Sequence, residues 1–599
     1  MNKIITISSA VSLALSLLAC SPATDESSKV EVKAAAKTSS EVNIAPISTQ
    51  LPHYLERDIR DEVFYFVMPD RFYNGDTRND LGNANKPESY GGFEPSSKGH
   101  YHGGDMKGLK EKLPYLQEMG ITSIWMTPIL RNQAVQGDSS GYHGYWVLDF
   151  TEIDPHLGTN DDLVELIDAA HAMNIKVFFD IIANHTADVI KFKQCHGENG
   201  DQWLHKTPGL CDYKTKAQVA NGDAYQFFIP KGKENLKVPA WLNDPKYYNN
   251  QGDSMWEGES AIYGDFAGLD DINTEHPEVV SGLIDVFKDI VTKFKPDGFR
   301  IDTVKHVNLE FWQQFSPALL KHAKEQGIEQ FFMFGEVYDG DPKNLSTFVT
   351  NGKLQSVLDF AFQGAIYRTL IDNHGTDELE KLFAQDALYD GEYGNASTLI
   401  NFTGNHDMGR FAFMLNDKHP NMSEQEKLAR IKLSNALMYF SRGIPVVYYG
   451  DEQGFVGDGN DKDARQDMMP SLVSSYNDDD LLGTNKTTAD DNFDQSHVLY
   501  QDLVDLANIY SAHKTLRYGE QEVVYAQQTP GMLALTRTDD NYQYLLVANT
   551  ATESQSLSLQ MSQQDYRPVV LAKDKTELSG AIDIRLAPLS YAIYRSAKQ

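Results

Sequence analysis

The chain has 599 residues, 41% of them hydrophobic and 23% charged, a composition that suits a folded protein large enough for more than one core. Its formal net charge of −32 argues against a nucleic-acid partner, because phosphate binding draws on clustered Lys and Arg. The acid excess reads instead as a solvated surface.

Residues 1–20 carry a basic start at Lys3 and an apolar run through Val11, Leu13, Leu15 and Leu18, then Ala19 and Cys20. The run is short for a membrane span and reads as an export signal. Leu17-Leu18-Ala19-Cys20 resembles the bacterial lipobox, in which the cysteine, here Cys20, becomes the lipidated first residue. Ser21 after it points to the outer membrane of a Gram-negative host; ordinary signal cleavage beside an incidental cysteine is the alternative. Residues 21–52, rich in Ser, Thr, Ala, Lys and Glu, hold too little apolar content to fold and read as a tether.

From Val63 to Tyr449, short apolar runs alternate with helical patterns, the signature of a parallel sheet with crossover helices. The runs are Val63–Val67, Ser123–Met126, Lys176–Phe179, Gly298–Ile301, Phe331–Phe334, Ser356–Leu358, Thr398–Ile400 and Pro445–Tyr448, the number needed for a closed (β/α)8 barrel. Leu163, Leu166, Ile167 and Ala170, and again Leu283, Val286, Ile290 and Phe294, repeat at helical spacing. The long Gly-, Asn- and Asp-rich stretch after the third strand reads as an inserted domain. It holds Cys195 and Cys211, which in an exported chain read as a disulfide, with buried free thiols as the alternative. After Leu516 alternating strand patterns point to an antiparallel β-sandwich. The expected division is signal 1–20, tether 21–52, barrel 53–184, inserted domain 185–271, barrel 272–515 and sandwich 516–599.

A barrel of this kind places its chemistry at the carboxyl ends of its strands, so the polar residues that follow the apolar runs are the ones to examine. They are Asp180 to His185 after the third run, Arg300 and Asp302 in the fourth, Glu336 after the fifth, and Asn405-His406-Asp407 after the seventh. In this order, and with GYHGYW at 141–146, these segments resemble the conserved regions of the α-amylase family, glycoside hydrolase family 13.

The resemblance implies a role for each position. Asp302 matches the nucleophile, Glu336 the general acid/base, and Asp407 the third carboxylate, which binds sugar hydroxyls. Arg300, two residues before Asp302 and so on the same strand face, matches the arginine that holds the nucleophile ionised. His185 and His406 match histidines that hydrogen-bond the sugar at the cleavage subsite, Tyr145 matches its stacking aromatic, and His143 shares that segment. A retaining glycosidase needs two carboxyl groups about 5–5.5 Å apart, one ionised and one protonated. Burial and neighbouring acids are expected to raise the pKa of Glu336.

The resemblance also implies calcium as cofactor. Asn184, Asp271 and the carbonyl of His306 match ligands that clamp the inserted domain to the barrel, and all-oxygen ligation suits a hard cation. Asn74, Asp76, Asn79 and Asp80, with Gly103 and Asp105, resemble a second calcium loop of cyclodextrin glucanotransferases; an ordinary polar turn is the alternative.

Lys305-His306 resembles the pair that contacts sugar on the leaving-group side in enzymes acting on α-1,4 bonds. Ala267 stands where cyclising glucanotransferases carry a large aromatic, which favours water as acceptor. The expected activity is therefore hydrolysis of α-1,4-glucosidic bonds in starch or maltodextrins, with transglycosylation or cyclodextrin and pullulan degradation as the alternative. The segment from Arg517 reads as too short for an added starch-binding module. Trp146, Trp203, Trp241 and Trp256 are candidates for sugar platforms, with core packing as the alternative for each. The acidic stretch after Glu452 reads as a rim loop over the pocket. The expected partner is an α-glucan, and membrane contact is expected only through a lipid at Cys20.

Overall fold

The computed structural model describes residues 51–82, 87–200, 211–563, 565–570 and 581–598. The signal segment, Cys20, nearly all of the expected tether and Trp203 lie outside them.

Eight strands form the barrel: β1 (Phe64–Val67), β2 (Ser123–Met126), β3 (Lys176–Ile181), β4 (Gly298–Ile301), β5 (Phe332–Gly335), β6 (Ser356–Val357), β7 (Ile400–Asn401) and β8 (Ile444–Tyr448). They lie in the order β6-β5-β4-β3-β2-β1-β8-β7, and a parallel bridge from Leu358 to Ile400 joins the two ends of that row. Aromatic rings fill the interior: Phe66 stacks on Trp125 with centroids 3.8 Å apart, and Phe64 meets Phe178 at 4.8 Å and Phe334 at 5.7 Å. So much ring volume leaves no room for a side chain at Gly298, where a Cβ would sit 2.3 Å from the Phe178 ring and 2.0 Å from the Phe332 carbonyl.

The crossover helices follow from their patterns. In Asn160–Ala172, Leu163, Leu166, Ile167 and Ala170 form the buried stripe, and Thr159 with Asp162 closes a capping box. Pro277–Phe294 starts with proline at its first position, where no amide hydrogen is required, and buries Leu283, Val286, Ile290 and Phe294. The seventh strand begins later than its apolar run, because Asn395 caps a 3-10 turn over Ala396–Thr398 and the extended backbone starts only at Ile400.

Between β3 and Pro277 the chain makes its insertion, with a small core of Phe192, Cys195, Cys211 and Tyr225. Cys195 and Cys211 are disulfide-bonded, with Cα atoms 5.6 Å apart. Past the barrel, β9 (Glu520–Tyr525), β10 (Met532–Thr538), β11 (Tyr542–Asn549), β13 (Arg567–Val570) and β15 (Ser590–Ala597) make one antiparallel sheet. The pair β12 (Gln555–Gln560) and β14 (Ala581–Leu586) makes another. Strand periodicity divides the larger sheet's residues: Met532, Ala534, Leu545 and Val547 join the core shared with the second sheet, whereas Leu533, Leu535 and Leu546 join the barrel's core. Among the described residues no helix is long and apolar enough to cross a membrane.

Candidate active site

Arg300 organises the barrel mouth. Its side chain leaves β4 directly opposite Asp180 of β3, the two residues being register partners. Nη1 donates to Asp180 Oδ1 at 2.8 Å and to Asp302 Oδ1 at 2.7 Å, while Nη2 lies 2.9 Å from Glu336 Oε1. One guanidinium, 1% exposed, thus gathers carboxylates from the ends of three neighbouring strands. Such a cluster is stable only because the cation is paired through both terminal nitrogens; removing it would strand buried charge.

The cluster sorts the protonation states. Glu336 is pushed up to about 8 by burial, with Asp302 and Asp407 adding to the shift and Arg300 opposing it. Its Oε2 accepts a hydrogen bond from Thr303 N at 3.1 Å, which fixes the carboxyl's orientation. Asp180 is also pushed up by burial, to about 7, and its Oδ2 accepts from Trp125 Nε1 at 3.3 Å and from the Tyr145 hydroxyl at 3.2 Å. Asp407 behaves oppositely. Its side chain is 38% exposed at the mouth, and although desolvation works to raise its pKa, His406, Arg465 and Arg300 together hold it below the usual range.

Asp302, Glu336 and Asp407 open into one cleft of about 530 Å³, with Tyr145, His143 and His185 in the same wall. The Tyr145 hydroxyl is 2.8 Å from His406 Nε2, and the two rings lie nearly parallel. Burial depresses all three histidines: His406 to about 3, His185 to about 4, and His143 well below its ordinary value. They are therefore neutral hydrogen-bonding groups at physiological pH, which suits the recognition of uncharged hydroxyls. On the other flank Lys305 Nζ donates to the Tyr338 carbonyl at 2.5 Å, and the His306 ring donates to the Ala261 carbonyl at 2.8 Å. Trp256 and Ala267, both with left-handed backbones (φ 64° and 53°), complete this flank, where Trp256 meets Phe266 edge-on at 4.6 Å. Trp146 also lines the cleft, whereas Trp241 packs edge-on against Tyr247 at 5.5 Å and beneath Gly282.

Two oxygen-rich sites lie near the cleft and within the barrel's loops. His185–Thr186 pairs with Asp270–Asp271, so Asp271 stands opposite His185, and Ile272 N donates to the Asn184 carbonyl at 2.9 Å. His306 closes the 3-10 turn Val304–His306 that follows β4. Burial pushes Asp271 well up, and among the described residues its only side-chain donor is Asn249 Nδ2 at 2.7 Å. Asp265, also buried and pushed up, accepts from Asp271 N at 3.3 Å. Neither carboxyl is paired with Lys or Arg among the described residues, so this donor set fits a hard cation.

In the second site Asp105 accepts from Gly75 N, Asp76 N and Asn79 Nδ2, and Asn74 Nδ2 donates to Asp80 Oδ1 at 2.9 Å. Among the described residues the side-chain oxygens of Asn74 and Asn79 are buried without a hydrogen-bond partner. Gly103, at φ 95°, lies so close that a Cβ would be 2.5 Å from Asn74. The Asp76 carboxylate faces elsewhere: Arg78 and Lys107 both bind it at 2.6 Å and hold it well below the usual range. Asn74, Asn79, Asp80 and Asp105 thus form the oxygen cluster, and Asp76 contributes its backbone.

Three residues of the site carry no role in the sequence. Asp180 stands there only as the start of a polar segment; its cross-strand alignment with Arg300 is a matter of register. Arg465, in the rim loop, donates to Asp407 Oδ1 at 3.0 Å. Asp265 sits in an irregular segment with no periodic signal.

Residues 66–493 match the family described as alpha amylase, catalytic domain. The α-amylase of Streptomyces lividans is 47% identical over 484 residues, covering 77% of this chain and 52% of that protein. A cyclomaltodextrin glucanotransferase of Klebsiella oxytoca is 29% identical over 419 residues, 66% of this chain and 58% of that one. Among solved structures, the α-amylase of Geobacillus thermoleovorans, determined with acarbose, is 26% identical with a TM-score of 0.66, over 91% of this chain and 100% of that one. The chain spans about half the length of the curated relatives it matches.

Proposed function

The chain belongs to the α-amylase family, and from that premise we propose that it is a retaining glycoside hydrolase cleaving α-1,4-glucosidic bonds of starch, maltodextrins or related α-glucans. The observation that carries this reading is the shared guanidinium: Asp302 and Glu336 bind the same Arg300 at 2.7 and 2.9 Å and open into one cleft.

Asp302 attacks the anomeric carbon while Glu336, held protonated, gives its proton to the departing glycosidic oxygen. The sugar then rests as an ester on Asp302. Glu336, now ionised, takes a proton from the incoming water, which displaces Asp302 from the opposite face and restores the original configuration. Asp407, ionised and held by Arg465, accepts hydrogen bonds from sugar hydroxyls, and the neutral His143, His185 and His406 do the same work from the wall. Tyr145 offers its ring to the apolar face of the sugar. Lys305 and His306 hold the leaving side.

In this reading Ca²⁺ takes the oxygen sites, one through Asn184, Asp271 and the His306 carbonyl, with Asp265 beside them, the other through Asn74, Asn79, Asp80, Gly103 and Asp105. Its contribution there is to fix the insertion and the first loops against the barrel. Export and lipidation at Cys20, with anchoring at the outer membrane, complete the proposal; a mature amino terminus lacking diacylglycerol would sink that part.

The test is product analysis over time on starch, pullulan and a cyclodextrin in parallel, with the anomeric configuration followed by NMR. Release of α-anomers from starch supports the reading; initial β-anomers, or chains longer than the substrate as main products, would overturn hydrolysis with retention.

A further inference from the structure

The insertion holds a donor set of a different kind from the two oxygen sites. Cys195, His196 and Cys211 meet in its small core: the two sulfurs and one ring nitrogen of His196 lie within 4.8 Å of one another, and all three side chains are buried. Phe192 and Tyr225, their rings stacked at 5.0 Å, pack around the cysteines. His196 Nδ1 lies 3.2 Å from Phe192 N and 3.1 Å from the Phe192 carbonyl, contacts that fix the ring. Burial, with Lys191 adding to it, pushes this histidine down to about 4, so its imidazole is neutral and keeps a lone pair at physiological pH.

The clip formed by the cysteines reaches the flank of the sugar cleft through the backbone. Asp253 N donates to the Cys211 carbonyl at 2.9 Å, and Asp265 N donates to the Gly252 carbonyl at 2.9 Å. Asp265 Oδ1 then accepts from Asp271 N at 3.3 Å, and Phe266 and Ala267, which follow Asp265, line the cleft. Whatever joins Cys195 to Cys211 therefore bears on the cleft wall.

In the disulfide the sulfurs carry no charge to offer a metal. A protein dithiol changes that: one of its thiolates attacks a cysteine sulfur, its second closes the reductant's own disulfide, and Cys195 and Cys211 are left as thiols. A zinc ion that binds them displaces both thiol protons into water. Two thiolates and a neutral imidazole leave the Zn²⁺ complex with no net charge, which an apolar core tolerates; a monovalent soft cation would leave a buried negative charge. Zn–S bonds of about 2.3 Å set two sulfurs about 3.8 Å apart in a tetrahedral site, a span that side-chain rotation reaches from Cα atoms 5.6 Å apart. Water takes the fourth position.

We propose that the reduced chain binds Zn²⁺ through Cys195, His196 and Cys211, so that a metal takes over from the disulfide as the clip of the insertion. The site stands apart from the α-glucan reading and does not depend on it.

The experiment uses the full chain, reduced with a phosphine, freed of it without air, and titrated with Co²⁺ in excess Ca²⁺. Thiolate bound to Co²⁺ gives an ultraviolet charge-transfer band that oxygen ligands do not give. The reduced chain should develop that band with one equivalent of Co²⁺ and lose it on addition of Zn²⁺, whereas the oxidised chain should show none. His196→Gln, which folds with its disulfide intact before reduction, and Cys195→Ser should each weaken Co²⁺ binding at least about tenfold, since losing a group that merely supports a ligand already costs that much. Zn²⁺ should also restore the thermal midpoint that reduction lowers in the parent, and not in Cys195→Ser. Should reduction unfold the insertion outright, Zn²⁺ is expected to bring back its cooperative unfolding. No charge-transfer band in the reduced parent, equal Co²⁺ affinity in either variant, or a midpoint that Zn²⁺ fails to raise would each overturn the site.

Discussion

Replacing Glu336 by glutamine removes a proton that the native fold holds tightly, and the effect on stability has a calculable sign. Glu336 is pushed up from 4.5 to about 8, with burial the largest cause. A shift of that size corresponds to about 5 kcal/mol of preference for the protonated carboxyl. Between those two pH values the native protein keeps a proton that the unfolded chain has lost, so stability is full below 4.5 and declines as pH rises to about 8. Glutamine does not titrate. Thermal unfolding of both proteins at a series of pH values from acid to alkaline should therefore show Glu336→Gln gaining on the parent as pH rises. Asp180, raised to about 7, remains in both and leaves a smaller common decline. On starch the variant should lose about 10²- to 10⁴-fold in turnover, the usual worth of a positioned general acid. Unfolding curves that stay parallel across the range would refute the assignment of a protonated, buried Glu336.

Arg300→Met should destabilise the fold by about 3–5 kcal/mol, and more at alkaline than at acid pH, because three carboxyls lose their shared cation; denaturant titration at both pH values reads this. A chelator should lower the thermal midpoint of the parent, and Asp271→Asn should blunt that response; an unchanged midpoint counts against both calcium sites. Cys195→Ser should remove about 3 kcal/mol from the insertion, the entropic worth of closing a loop with a sequence separation of 16, and limited proteolysis should then cut within residues 185–271 first.

The strand-end acids were legible because a barrel converts sequence into position. An apolar run followed by Asp, Glu or His places that side chain on the one rim where chemistry is built, and Asp302, Glu336 and Asp407 share a cleft for that reason. Register was harder. Nothing linear links Asp180 to Arg300, since residues separated by 120 positions become partners only when β3 and β4 align. Irregular backbone was harder still: Arg465 reaches Asp407 from a loop without periodicity, and Asp265 owes its burial to how the insertion folds back on Asp271. Asp76 shows the converse, a residue whose type suits a cation loop but whose carboxylate is drawn off by Arg78 and Lys107 two residues and one helix away.

The central claim is a covalent sugar ester on Asp302, and trapping it is the most direct measurement. Glu336→Gln incubated with a 5-fluoro-α-glucosyl fluoride, then digested and analysed by mass spectrometry, should carry one sugar on the peptide containing Asp302. A sugar on the peptide containing Asp407, or turnover of the fluoride with no adduct at any time, would contradict the account.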